Sequence, residues 1–391
     1  GMIYLLVDVV YKYITIPQIA EVIRAPPVAP VIPYFPKLFG LDSFFPPFYF
    51  TYFILALAVV AICHEFSHGI FMRLFKVKIK STGFAFLGPI LGAFVEEDGK
   101  SFKSKKKFEQ MSVLAAGTFA NVIVFFIFFG LLVGFFFLSF QPSGYGFNSY
   151  GFSRVPIKEI DNFGQDIGEK EIIMGKSIMR INVSEININN KTYIISNEVK
   201  QEIIDEKLLN SNKSVLLWHN TPAFRKEMKG AIISINNVKI KNHDDLREFL
   251  IKSNPDDDVE VTTKYNGEER TYNIILDEHP VDNSRGYLGV GFYMADNNGL
   301  ISGVLNIFTG FREPSTLYEP KWDGNFVIFV YNLLWWIAII NILVAFFNML
   351  PLGILDGGRF FYLTFLSITG NEKLSRFMFR FATYAILFVV L

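Results

Sequence analysis

The chain has almost no cysteine and little histidine. One cysteine, Cys63, among 391 residues rules out a disulfide within the chain. Only five histidines are present, so where each one sits carries weight. Net charge is also missing, since 37 Lys and Arg balance 37 Asp and Glu. Without a basic excess, nucleic acid is not expected as a partner. Near the start there is no basic stretch before an apolar run and no cleavage site, so no secretory signal is expected.

Apolar and aromatic residues are abundant. Hydrophobic residues make up 51% and aromatics 16%, with 43 Phe. They cluster in runs that approach the ~20 residues a membrane-spanning helix needs. A long polar block, roughly 145–320, separates them. The chain therefore reads as a polytopic α-helical membrane protein of about five to six spans, plus one inserted soluble domain.

Four regions follow. Residues 1–47 hold a short apolar segment (2–16) and a proline-rich segment (17–47) with Pro26, Pro27, Pro30, Pro33, Pro36, Pro46 and Pro47, which cannot continue a helix. Residues 48–140 hold a span over 48–75, a basic loop over 76–108 and a second span over 109–140. Residues 141–325 form the soluble insert. Residues 326–391 hold an inward span over 326–350 and the start of another over 377–391. In the 76–108 loop, Arg73 and Lys76 at its edge and Lys78, Lys80, Lys100, Lys103, Lys105, Lys106 and Lys107 outnumber Glu96, Glu97 and Asp98. That excess marks the loop as cytoplasmic and places the insert outside. Within the loop, Gly83 to Val95 is apolar but too short to span, and Gly83, Gly88 and Gly92 interrupt it. It reads as a re-entrant β-hairpin, tolerated at membrane depth only under cover of protein or a cavity.

The first span contains His64-Glu65-Phe66-Ser67-His68. Ionisable groups at bilayer depth cost about 2.5–3.5 kcal/mol on insertion scales and mark functional sites. On a helix, His64 and His68 stack on one face and can grip one Zn²⁺, with Glu65 beside them as general base on a metal-bound water. Cys63 points about 100° away and reads as a core residue. His219, His243 and His279 lie in polar sequence and read as solvated. Catalytic zinc usually takes three protein ligands. The third should come from another span at the same depth. Asp356, in Asn348-Met349-Leu350-Pro351-Leu352-Gly353-Ile354-Leu355-Asp356-Gly357-Gly358, is the one carboxylate between Phe326 and Thr369. Pro351 breaks the helix there, and Gly353, Gly357 and Gly358 are expected to let the backbone turn.

The paired motifs H-E-x-x-H and N-x-x-P-x-x-x-x-D-G-G resemble the site-2 protease family of intramembrane zinc metalloproteases, and the resemblance covers essentially the whole chain. It implies a zinc metalloendopeptidase that hydrolyses membrane-spanning segments of other proteins within the bilayer. It assigns His64, His68 and Asp356 to one Zn²⁺ per chain and Glu65 to the catalytic base. It gives Asn348 a role in aligning the substrate strand. Gly117 and Asn121 match the family's G-x-x-x-N pattern, with Asn121 as an oxyanion donor or a helix-helix hydrogen-bonding residue. The Gly83–Val95 hairpin resembles the element on which substrate lies extended, or it plugs the site against lipid.

Within the insert, residues 215–292 carry the rhythm of a PDZ-like α+β domain. A short helix follows Thr221-Pro222-Ala223, and two strands meet at a turn over Asn236-Asn237. Asp244 to Lys252 is an amphipathic helix, and a hairpin crosses Asn266-Gly267. Val215 to Trp218 is expected as the leading strand and Gly286 to Val290 as a short apolar strand. Such a domain binds peptides by strand addition or acts as a size filter. Gly175 to Ile186 echoes Lys229 to Ile240, so residues 152–214 are a candidate second, degenerate unit. Two further readings of the whole chain stay open. One is a non-catalytic scaffold binding through the PDZ-like domain, which leaves Glu65 without a use. The other is a divalent-cation transporter, disfavoured because the spans carry no further acidic residues.

Overall fold

The structure, a computed structural model, describes residues 11, 33–38, 45–87, 90–174, 177–189, 191–206, 208, 213–291 and 308–390. The apolar segment 2–16 and most of 17–47 lie outside the described residues. The chain divides into two units, Gly1–Ser139 with Trp322–Leu391, and Phe140–Lys321. In chain order the longer helices are α1 (Phe50–Leu74), α2 (Lys107–Ser139), α3 (Asn197–Asp205), α4 (His243–Lys252), α5 (Gly324–Asn348), α6 (Asp356–Thr369) and α7 (Glu372–Val390).

Among its described residues the first unit is helical apart from one hairpin. Among the described residues α1, α2 and α5 are long and apolar enough to cross a membrane. Asp323 starts α5 by accepting from the Asn325 and Phe326 amides. The helix ends at Asn348, ahead of Pro351. The chain then enters α6, which stops at Gly370 in the left-handed conformation, φ 64°. Asn371 Oδ1 accepts the Lys373 and Leu374 amides at the start of α7. The span expected over 377–391 falls in α7, whose first half carries Glu372, Lys373, Arg376 and Arg380. The expected β-hairpin is present and longer than the apolar run. It comprises β1 (Ile79–Leu87) and β2 (Ile90–Glu97), antiparallel, with Gly83 opposite Phe94 and Gly92 opposite Ala85. Gly88 lies outside the described residues. A core of Met72, Val77, Phe102, Val113, Leu114 and Leu363, with Ile79 and Val95 packed on it, joins α1, the hairpin, α2 and α6. Its apolar side chains make this the firm base on which the polar residues above are held.

The second unit is β-rich. Its strands are β3 (Phe140–Gly146), β4 (Ser149–Tyr150), β5 (Phe152–Pro156), β6 (Asn162–Met174), β7 (Ser177–Ile188), β8 (Lys191–Ser196), β9 (Ser214–His219), β10 (Ala231–Ile235), β11 (Val238–Lys239), β12 (Asp258–Tyr265), β13 (Glu268–Ile275), β14 (Asp277–Glu278), β15 (Gly286–Tyr287), β16 (Val290–Gly291) and β17 (Thr316–Pro320). Among the described residues one sheet runs β13-β12-β10-β3-β17, with β11 on β10, and another runs β16-β4-β6-β7-β8-β9-β5. Tyr150, Ile172, Val183 and Ile194 from the second sheet meet Ile232, Ile235, Val261 and Ile274 from the first in one core.

The expected turns form. Asn236 and Asn237 take φ 48° and 64°, and Asn266 and Gly267 take 51° and 86°, as two-residue hairpin turns require. Three local expectations change. Val215 to Trp218 is a strand, β9, but it pairs with β5 and β8, and β3 takes the place beside β10. The echo at 175–186 is not one of conformation. Asn236 sits in a turn, whereas Asn182 lies inside β7, opposite Glu169 of the long β6 strand that holds it extended. Gly175 lies outside the described residues. The apolar stretch Gly286 to Val290 splits into β15 and β16 around Gly289, φ 83°.

Candidate metal centre

Two antiparallel helix stripes build the first half of the site. His64 and His68, one turn apart on α1, are buried at 7% and 6% exposure. On α2, Val113, Gly117 and Asn121 also recur every four residues and face them. His68 Nδ1 donates to the Val113 carbonyl at 2.7 Å, which leaves its Nε2 as a bare lone pair. His64 Nδ1 lies 3.1 Å from the Asn121 amide. The amide nitrogen Nδ2 is the atom that faces it, and the Asn121 carbonyl oxygen is buried without a partner. Turning the amide over would let that oxygen accept from Nδ1–H and leave His64 Nε2 bare as well. Between the two contacts sits Gly117. A Cβ there would lie 2.5 Å from the Nε2 of both histidines, so this position on α2 has room for hydrogen alone. Ser67 Oγ donates to the Ala116 carbonyl at 2.9 Å and fixes the same helix pair.

Asp356, the first residue of α6, supplies the second half. Gly357 and Gly358 were expected to turn the backbone, yet neither has positive φ. Their role is close approach. A Cβ on Gly357 would lie 2.4 Å from the Met349 carbonyl carbon, and one on Gly358 would lie 2.2 Å from the Leu352 oxygen. Bare backbone lets α6 fold back against the end of α5 and bring its first carboxylate inward. Asp356 Oδ2 stands 3.2 Å from both His64 Nε2 and His68 Nε2, which are 3.1 Å apart. Two lone pairs and a carboxylate oxygen at such distances call for a cation among them. Ligands about 2.0–2.1 Å from a tetrahedral zinc stand about 3.3 Å from one another, so the residues present fit that ion. Among the described residues no other group of three His, Cys, Asp or Glu side chains converges in this way, and Cys63 is not part of it.

Glu65 is half-buried beside this centre, and its Oε2 accepts the Val95 backbone N–H of β2 at 3.0 Å. Asn348 Nδ2 approaches His64 Nε2 at 3.4 Å, on the side where the three donors meet. Asn121 approaches the opposite, Nδ1 side, a place suited to orienting His64 rather than to meeting substrate. The hairpin lies close by, with Val95 methyls 3.8 Å from a Cβ built on Gly69. Its Phe84 and Phe86 are exposed. The other three histidines lie in the second unit. His219, expected to be solvated, is partly buried and lies 2.7 Å from Ser153 Oγ. The Val113 carbonyl had no signature in the sequence, because any residue presents one.

A buried His₂Asp group with an adjacent carboxylate, its two histidines on a helix apolar enough to cross a bilayer, has the donor set of a metal-dependent hydrolase. The model of peptidase family M50 matches residues 52–391, and the chain belongs to that family of membrane metalloproteases. It is also similar to an uncharacterized protein of Methanocaldococcus jannaschii, MJ0971, at 25% identity over 306 residues, covering 78% of this chain and 54% of that protein. The chain thus spans about half the length of the curated relative it matches.

Proposed function

We propose that this chain is an intramembrane zinc metalloendopeptidase that hydrolyses peptide bonds in the membrane-spanning segments of other proteins. The observation that carries this reading is the meeting of His64, His68 and Asp356 from distant parts of the chain beside Glu65. His64, His68 and Asp356 would hold one zinc per chain. Zinc, when bound, supplies a Lewis acid that polarises a peptide carbonyl and acidifies water. Glu65 takes a proton from the attacking water at its carboxylate and passes it to the leaving amine nitrogen. Asn348 donates toward the substrate carbonyl, and Asn121 holds His64 in the tautomer that keeps Nε2 free. The substrate must be unwound locally, since a helix engages its carbonyls internally. The β1–β2 hairpin offers an edge for that extended segment, and Gly83 and Gly92 keep it slim. The basic 76–108 loop supports a multi-pass protein of the cell membrane, with the site toward the cytoplasm and the insert outside.

The insert supports a peptide-binding role as well. Helix α4, the hairpin across Asn266-Gly267 and the Asn236-Asn237 turn favour a PDZ-like unit. A groove of about 180 Å³ runs along α4, lined by Leu246, Leu250 and Val290 with Arg247 and Arg285. Apolar walls with basic side chains suit a peptide ligand bearing carboxylates.

Elemental analysis of detergent-purified protein tests the site, with Asp356→Ala and Glu65→Gln in parallel. About one zinc per chain is expected in the unaltered protein and in Glu65→Gln, and much less in Asp356→Ala. Glu65→Gln should no longer cleave a transmembrane peptide. Unaltered cleavage by that variant would remove the assigned base. A well-folded protein without metal would leave the insert's peptide binding as the reading.

A further inference from the structure

Strand β2 contacts both helices that bring His64, His68 and Asp356 together, α1 and α6. At Val95 its backbone N–H donates to Glu65 Oε2, 3.0 Å away, on the helix that carries the histidines. Two residues on, at the end of the strand, Glu97 Oε1 accepts from Arg359 Nη1 at 2.7 Å. Arg359 stands one turn after Asp356 on α6. Its guanidinium also lies 4.7 Å from the centroid of the Phe102 ring, which is buried at 2% exposure. Glu97 is 23% exposed and Arg359 47% exposed, so the pair is partly shielded from solvent. A lone surface ion pair adds little stability. This one matters through what it joins, residues 262 positions apart, one on β2 and one on the helix that begins with Asp356.

We propose that Arg359 is a positioning residue which, through Glu97, seats strand β2 so that the Val95 N–H holds the Glu65 carboxylate in its working orientation. The assignment of Glu65 as base rests on the proposed proteolytic function, whereas the seating of the strand does not. Arg359 touches neither metal ligand atoms nor substrate. Its removal frees the strand at Glu97 while the three donors keep their own anchors at Val113, Asn121 and the Gly357–Gly358 backbone.

Cross-linking in membranes tests the seat directly. Gly69→Cys with Val95→Cys, in a Cys63→Ala background, places two thiols at the contact between α1 and β2, where a Cβ on Gly69 lies 3.8 Å from the Val95 methyls. Oxidation should join them readily with Arg359 intact and several-fold more slowly with Arg359→Gln. The swap Glu97→Arg with Arg359→Glu should restore most of the rate. In the protein with its native Gly69, Val95 and Cys63, Arg359→Gln should keep its zinc. It should lower kcat on a quenched-fluorescence transmembrane peptide about tenfold with KM little changed, as loss of one charge-assisted hydrogen bond would. Equal cross-linking rates with and without Arg359 would overturn the proposal, as would loss of zinc in step with kcat. Slower cross-linking in a protein that cleaves nothing would keep the strand seat and remove the catalytic reading.

Discussion

The two units bury different kinds of polar side chain. Among the described residues, the buried polar groups of the β-rich unit are hydroxyls: Ser149, Ser184, Thr221, Ser253 and Thr263. The helical unit buries hydroxyls too, but also His64, His68, Gln110, Asn121, Asn332 and Asn341. A hydroxyl is small and rotates to suit its surroundings, so it tunes a core without directing it. An imidazole or an amide has fixed donor and acceptor edges, and burying one commits the neighbouring helix to a geometry. In the helical unit His64, His68 and Asn121 gather at one place, the metal centre, while Gln110 and Asn341 donate to the backbone carbonyls of Lys105 and Ile337. The β-rich unit spreads its polarity over turns, strand edges and surface ion pairs such as Arg225–Asp277 at 2.7 Å.

The sharpest way to break this contrast is at Gly117. Gly117→Ala puts a methyl where both Nε2 atoms face, so zinc content and cleavage should vanish while the β-rich unit keeps its hydrogen-exchange protection. Gly130→Ala on the same helix meets nothing within 4 Å and should leave zinc in place. Zinc retained in Gly117→Ala would mean that α2 does not press on the site. A smaller loss is expected for Asn121→Leu, which keeps bulk and removes the His64 partner. Metal affinity should fall about 10–100-fold, the usual cost of losing an outer partner of a ligating histidine. Competition with a chelator measures it, and unchanged affinity would separate Asn121 from the ligand set.

The smallest effect belongs to the other unit. Burial, aided by Lys191, pushes His219 below its ordinary range. The unfolded chain then takes up a proton that the folded unit resists. The neutral form's contribution is present above about pH 6.5 and is lost as pH falls through the depressed value. Exchange protection of β5 and β9 should therefore weaken modestly from pH 7 to pH 5.5. His219→Gln should flatten that dependence, and an unchanged slope would acquit this residue.

The same contrast explains what could be read in advance. His64, Glu65, His68 and Asp356 stood out because their surroundings are apolar and local spacing speaks for helices. The turns at Asn236-Asn237 and Asn266-Gly267 were legible because left-handed backbone favours those residues. The separate helix α6 was not, because Phe360 to Leu366 continues an apolar run and only the clash at Gly357 and Gly358 shows why the chain folds back. Strand partners were not legible either. Phe152 pairs with Trp218 across a long stretch of chain, and alternation along a strand states its face without naming its neighbour. Arg359 and Glu97 read as two ordinary charges until the fold brings them together.

The four-residue cadence shared by α1 and α2 works as a register lock. His64 matches Asn121 and His68 matches Val113, with the notch at Gly117 between them. Sliding one helix past the other by a turn, ~5.4 Å, would drive the next side chain into the notch and strip both imidazoles of their outer partners. With a metal held, these two helices form a fixed jaw. On the proposed function, a substrate strand would meet the opposite side of the centre, the hairpin and α6, which the Glu97–Arg359 pair links above their shared apolar core.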